Sequence, residues 1–478
     1  MHLFLFGSSL SKISLSQCQS LPDIQSTIRT AAHQRPPSAY PRLFCSGWMH
    51  SMTNGKALAS MLDGLDPHNR PIFIDSKDLH SAWCNSAALA DMGVDAATPD
   101  PAGGEIARDE DGNPSGLLSE AAAVTIVWPH TARVATAEEK MGYVRDAIAA
   151  YNAAGYTGMI EMATDENIFA TVLRLRDVES VSIRLAMHWI ITPDAEEKKV
   201  LDQVDRAIEL QETYNKTTSP DFRIAGIKVI CDGVVDACTA SLTEPYTTTP
   251  SPSPLWEADT LSKVVQRADA AGLQCALHAI GDGAVRLAIN ALEIVKPADG
   301  APSRRHRIEH LELTSPEDAA RLAALGITAS IQPVHADPAI LRAWPRLLGP
   351  ERVKRAFAYR EFHEHGARLA IGTDAPTAPH FPMKNLYTAT TRRSAREPGY
   401  KEKVNPEFGL SLVQTVTAAT AGSAYSCFAD DVTGSLEVGK KADFVVVEMD
   451  WDDGETGDRL LDARVCETYF AGKCVFAS

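Results

Sequence analysis

The sequence predicts an α/β fold, a (β/α)8 barrel of the TIM type, and three observations carry that prediction. From about residue 137 onward, short apolar runs alternate with stretches of helical periodicity, the pattern of parallel strands joined by crossover helices. Seven such runs fall between about residues 157 and 374. Several of them end in an ionisable residue. A doubly wound sheet and a closed barrel both satisfy the alternation, but the strand-end residues favour the barrel, whose strands bring their C-terminal ends to one mouth where such folds place their chemistry.

Residues 1–39 read as the start of the barrel, a first βα unit shortened at its front. Residues 40–135 are rich in Gly, Pro, Asp and Ala, keep no βα rhythm and contain one clear strand, Arg70–Asp75; they read as an insertion forming a lid over the mouth. Residues 136–421 read as the barrel proper. Ala137–Tyr151 has helical spacing and leads to the strand Thr157–Glu161, and Phe169–Val178 leads to Ile183–His188. The remaining strands are Ile224–Ile230, Leu273–His278, His306–His310, Ile327–Gln332 and Arg368–Asp374, with helices at Leu261–Ala271, Ala284–Val295 and Pro316–Leu325 between them. Residues 422–478 change rhythm again. Gly434–Val447 reads as turn, strand, turn, strand, and Val465–Phe476 as a hairpin turning at Ala471-Gly472-Lys473, which together make a small β subdomain.

Composition narrows the functions. The chain has 478 residues, 45% apolar and 23% charged, ordinary globular values that promise a sizeable core. Acidic residues outnumber basic ones, 62 to 46, for a net charge of −16, which argues against a nucleic-acid partner or an anionic membrane surface. Nine scattered cysteines without a C-x-x-C pair argue against a disulfide framework or a cysteine zinc site. No run of about 18 apolar residues occurs, and the apolar start Leu3–Phe6 is too short for a signal-peptide core, so a cytoplasmic protein is expected. Neither a phosphate-binding glycine loop nor a G-x-S-x-G elbow is present.

Lys228, His278, His310 and Asp374 stand at or near the ends of four different strands. Imidazole and carboxylate together suit zinc or a similar divalent cation. A lone strand-end histidine is more often structural. Two of them one βα unit apart, with an aspartate further on, shift the balance toward a metal site. Lys228 is harder to explain, because an ammonium in a barrel interior loses hydration and needs a counter-charge or a depressed pKa. Asp232 is the candidate counter-charge. The alternative is that CO2 carbamylates the amine, turning it into an anionic ligand between two metals. Arg307 and Glu309 alternate with Ile308 and His310 and read as a buried pair beneath the metal.

At these positions a family likeness appears. His278-Ala279-Ile280-Gly281-Asp282, Arg307-Ile308-Glu309-His310, Gly372-Thr373-Asp374-Ala375-Pro376 and Gly434–Asp443 resemble the amidohydrolase superfamily. Within it they are similar to the branch of the N-substituted formamide deformylases and related metal-dependent hydrolases, amidohydrolase family 3. Asp78–Ser86, Lys228–Gly233, Thr239-Ala240 and Pro245-Tyr246 extend the likeness, which runs collinearly along essentially the whole chain.

The resemblance implies one or two divalent metals, zinc foremost. It also implies hydrolysis of an amide-type carbon–nitrogen bond of a small N-acyl, formamide or cyclic amide substrate through metal-bound hydroxide. By matching position, Lys228 is the carbamylated ligand after the fourth strand, His278 follows the fifth, His310 the sixth and Asp374 the eighth. Asp374 is also the group that takes the water's proton and passes it to the leaving nitrogen. His335, after the seventh strand, is placed to touch substrate. His80 and Trp83 in the insertion are placed to roof the pocket, with ordinary core as the alternative for Trp83. A homodimer is implied as well.

One departure stands out. Members of the family open the barrel with a strand ending in H-x-H, whereas Met1-His2-Leu3 puts His2 at the second histidine of that motif. The first histidine and most of the first strand are therefore expected to be missing. Two rival readings follow: an impaired homologue serving as a binding or partner subunit, and the same scaffold running ester hydrolysis, deamination or decarboxylation.

Overall fold

The computed structural model describes residues 2–76, 81–101, 104–120, 122–296, 304–450 and 457–478. They divide into two compact units, Phe4–Asp146, and Met1–Leu3 with Ala147–Ser478. In the first unit, β1 (Ile13–Ser14), β2 (Leu43–Trp48), β3 (Ile72–Ser76), β4 (Ser81–Cys84), β5 (Gly104–Arg108) and β6 (Pro114–Glu120) form one sheet in the order β1-β2-β3-β4-β6-β5. β1, β2 and β3 are parallel, and the remaining pairings are antiparallel. The helix Leu21–Gln34 starts on the N-cap Ser20, whose side chain accepts the Asp23 N–H, and it buries Ile24, Ile28 and Ala32 along one stripe. These pack with Ile13, Leu43, Cys45, Ile72 and Ile74.

That core corrects the expected division of the chain. Residues 4–39 are a βα unit of this sheet and not the opening of the barrel, because their apolar strand and helix stripe find their partners in β2 and β3. Within the segment 40–135, read as an insertion, the strand expected at Arg70–Asp75 is β3.

In the second unit, β7 (Gly158–Thr164), β8 (Arg184–Ile191), β9 (Phe222–Ile230), β10 (Gln274–Ala279), β11 (Arg307–His310), β12 (Thr328–Ile331) and β13 (Leu369–Ile371) are the seven strands read from the sequence. All are parallel and each pairs with its neighbours in chain order. A doubly wound sheet would reverse its order at a switch point, so this arrangement is that of a TIM-type α/β barrel. Amphipathic helices follow the strands. Glu197–Thr213, for example, buries Val200, Val204, Ala207 and Leu210 at helical spacing. Asp165 and Ser315 cap the helices Glu166–Val178 and Pro316–Ala324 by accepting the N–H of Ile168 and Asp318.

Among the described residues no eighth strand pairs between β13 and β7. The sheet is nonetheless curled, since β7 and β13 line one interior cavity. Residues 2 and 3 stand at that seam: the His2 N–H donates to the Ala375 carbonyl at 3.0 Å, and the Leu3 N–H to Glu161 Oε2 at 2.5 Å.

β14 (Phe444–Glu448), β15 (Arg464–Phe470) and β16 (Lys473–Ala477) make a small antiparallel sheet. The β15–β16 hairpin turns at Ala471 and Gly472, both with positive φ, as a two-residue type I′ turn demands. Of the two strands read between Gly434 and Val447, only β14 forms; Leu436 and Val438 are exposed outside any strand. No helix among the described residues is long and apolar enough to cross a membrane.

Candidate active site

Strand register explains how the site assembles. Lys228 on β9 lies opposite Ala276 of β10, two residues before His278, so the period-two alternation of strands puts Lys228 and His278 on the same interior face. Arg307 and Glu309 on β11 are in register with Ala276 and His278 and share that face. His310 should then point the other way. It does not, because His310 and Leu311 take positive φ, +78° and +54°, which breaks the alternation and brings the His310 ring to 4.3 Å from that of His278. Asp374, just past β13, is also left-handed at φ +59°. Such conformations cost a non-glycine residue roughly 1–3 kcal/mol and cluster where function needs them.

Beneath this layer, Arg307 Nε donates to Glu309 Oε1 at 2.5 Å, and Ser330 and Ser426 complete the network. The expected buried pair is there. A cavity of about 450 Å3 connects the two levels, lined at the mouth by Lys228, His310 and Asp374 and reaching Arg184 and Arg223 at the other end of the strands.

Burial governs the charge states. It pushes His278 down to about 3, with the nearby Lys228 ammonium adding to the shift. It also holds His310 well below the ordinary imidazole value, helped by His278. Both rings are therefore neutral, with lone pairs free to bind. The Lys228 amine is lowered by burial against the opposing pull of Glu309 and Asp374, and among the described residues it makes no hydrogen bond. Burial alone would raise Asp374, but the His2 hydrogen bond keeps its carboxyl well below the usual range. His2 Nε2 is 3.3 Å from Asp374 Oδ1.

Asp232 is not the counter-charge of Lys228. Its carboxylate accepts the backbone N–H groups of Ser241, Ile280 and Gly281 and lies 3.5 Å from His278 Nε2, so it pins two loops behind the imidazole. Burial raises it to about 7. His335 lies in the turn Pro333–Ala336 after β12 with its ring 5.7 Å from that of His310. Trp83 is fully buried in the core of its own unit, 5.2 Å from Trp48 and donating to the Leu58 carbonyl at 3.0 Å; this corrects its reading as a substrate contact, since its whole surface is spent on packing. His80 lies outside the described residues.

Two residues escaped the sequence reading. Glu161 on β7 is buried, raised to about 7 by desolvation, and its Oε1 accepts no hydrogen bond while His2 Nδ1 stands 3.9 Å away. Glu312 meets His335 Nδ1 at 3.2 Å. A carboxylate at or beside a strand end was the only available signal for either.

The sequence pattern of the amidohydrolase family runs through residues 1–476. The chain belongs to the amidohydrolase family. Relatives of this amidohydrolase include the protein LONG AFTER FAR-RED 3 of Arabidopsis thaliana, 30% identical over 99% of this chain and 80% of that one. The putative amidohydrolase YtcJ of Bacillus subtilis is 28% identical over 94% and 82% of the two chains. The N-substituted formamide deformylase of Arthrobacter pascens is 24% identical over 95% and 82%. The fold is that of an uncharacterized metal-dependent hydrolase from Pyrococcus horikoshii, with a TM-score of 0.76, 24% identity and coverage of 92% and 82%.

Membership of this hydrolase family implies a divalent metal, and the amidohydrolase's own residues suit one. Two buried imidazoles, an ionised carboxylate and two buried polar atoms that protein groups leave without partners, His310 Nδ1 and Glu161 Oε1, are donors of the kind a divalent cation takes.

Proposed function

We propose that the protein hydrolyses an amide-type carbon–nitrogen bond of a small N-acyl, formamide or cyclic amide molecule, using zinc held by His2, Lys228, His278, His310 and Asp374. The observation that carries this reading is the mouth of the barrel, where lone-pair donors from separate strands meet without satisfying one another. A bound cation supplies Lewis acidity, polarising the scissile carbonyl and lowering the pKa of water.

The protein's residues do the rest. Lys228, shifted toward its neutral form, attacks CO2 through its nitrogen lone pair; the N–C bond forms, one ammonium-type proton leaves, and a carbamate anion results. Asp374, kept ionised, accepts the proton of the attacking water and returns it to the departing nitrogen. His335 meets the substrate beside His310. The cavity of about 450 Å3 is of a size for a small molecule, and the similarity to a formamide deformylase favours short acyl groups. A cytoplasmic homodimer is the expected form.

The test is metal analysis together with turnover of N-formyl, N-acetyl and cyclic amide substrates. One or two zinc ions per chain and hydrolysis of at least one class are expected. His278→Ala and His310→Ala are expected to lose both metal and activity, and full activity in either rejects the assignment. The same family scaffold with metal but no amide turnover would move the reading to ester hydrolysis, deamination or decarboxylation.

A further inference from the structure

Beside the donor set used above lies another, of which the proposed reaction uses only His310 as a ligand. His310 ends β11 in the left-handed conformation, and the chain then carries Glu312, buried, back toward the turn that holds His335. His335 Nδ1 and Glu312 Oε1 are 3.2 Å apart. The rings of His335 and His310 are nearly parallel, at 7° and 5.7 Å between centroids. One donor atom from each of His310, Glu312 and His335 falls within 4.8 Å of the others. His310 Nδ1 is buried and has no hydrogen-bond partner.

We propose that His310, Glu312 and His335 form a second divalent-cation position of zinc type at the mouth, distinct from the set framed by Lys228, His278 and Asp374. Two imidazoles and one carboxylate are a donor combination that zinc takes with a fourth position left open. Two atoms each about 2.0–2.1 Å from one zinc ion in tetrahedral geometry stand about 3.3 Å apart, which is the separation already present between His335 and Glu312. His310 is common to both sets; a neutral imidazole carries one lone pair, so His310 serves one position at a time unless it releases its ring N–H proton and bridges both as an imidazolate. A substrate oxygen approaching this side of the mouth then meets a cation where His335 alone would offer an N–H. From the reading above, the inference takes only that the mouth binds divalent cations.

The experiment is a Co2+ titration of metal-free protein followed by visible absorbance, paired with zinc content after dialysis. The proteins are wild type, Glu312→Gln, His335→Gln, and the double variant Lys228→Met with His278→Ala, each checked by circular dichroism. Glu312→Gln and His335→Gln are each expected to remove one absorbance component or weaken it at least tenfold. The double variant is expected to retain that component, and adding Glu312→Gln to it to abolish it. Binding in Glu312→Gln and His335→Gln indistinguishable from wild type overturns the proposal, leaving a plain hydrogen bond between the two residues. If the double variant is then the one that loses its ions, the proposed function still stands. A folded double variant that binds nothing also overturns the inference, whereas one unchanged from wild type removes the first set instead. Should Glu312→Gln not fold, His335→Gln decides alone, since His335 is partly exposed.

Discussion

Strand β11 holds two regions of opposite character within four residues. Arg307 and Glu309 are as buried as His310, yet the pair is closed: guanidinium on carboxylate, with Ser330 and Ser426 taking the remaining bonds. His310, one residue on, has an unpartnered Nδ1, a backbone at φ +78° and a second imidazole against its ring. An unsatisfied buried polar group costs about 1–3 kcal/mol and a left-handed non-glycine residue about as much again. At His310 both costs fall on one residue beside a second imidazole, the combination a bound ligand would offset. The floor of this barrel is built for stability and its mouth for a ligand.

The contrast breaks most visibly at the floor. Arg307→Ala leaves the Glu309 charge buried with only Ser330 as a partner, and removing one member of such a pair typically costs about 3–5 kcal/mol. Urea denaturation of the metal-free protein measures it. A loss below about 1 kcal/mol means the network is not what holds the floor together.

His188 on β8 stands between the two cases, with Nε2 2.8 Å from Gln274 Oε1 and Nδ1 without a partner. Burial, with the positive field of Arg307, pushes it down to about 3 from the ordinary 6.5. As pH falls through 6.5 the unfolded chain takes up a proton that the folded chain refuses until about 3, so within that window stability declines with acidity. The slope is up to about 1.4 kcal/mol per pH unit for one proton. His188→Gln is expected to flatten the acid limb of a stability profile by that amount, and parallel profiles for the two proteins exclude the effect.

Much of this was legible in the residues. All seven strands of the curled sheet follow from apolar runs between helical stretches, and Lys228, His278, His310 and Asp374 announce themselves by closing those runs. What the one-dimensional pattern hid was long-range. Residues 4–39 read as barrel because strand followed by helix looks the same wherever it packs; only the joint core of Ile13, Ile24, Leu43 and Ile72 assigns them to the other sheet. Alternation would also have pointed His310 away from His278, and the positive φ that turns it inward has no signature in a His-Leu pair. Glu161 and Glu312 went unnoticed because a carboxylate beside a strand end is ordinary until burial and an unfilled hydrogen bond single it out.

The smallest effect on stability is expected where the comparison matters most. His310→Asn keeps a short polar side chain that tolerates the left-handed conformation better than most residues. It replaces the ring by a smaller amide that is polar in the same place, so the loss of ring packing and the relief of backbone strain oppose each other. A change of less than about 1 kcal/mol in metal-free stability is expected, against about 3–5 kcal/mol for Arg307→Ala at the start of the same strand. Cation uptake is expected to reverse that ranking, with His310→Asn weakening Zn2+ binding at least tenfold and Arg307→Ala acting on binding only through lost folding. If His310→Asn destabilises the metal-free protein as strongly as Arg307→Ala, the imidazole is a structural member of the barrel, and the division between floor and mouth fails on the strand where it is sharpest.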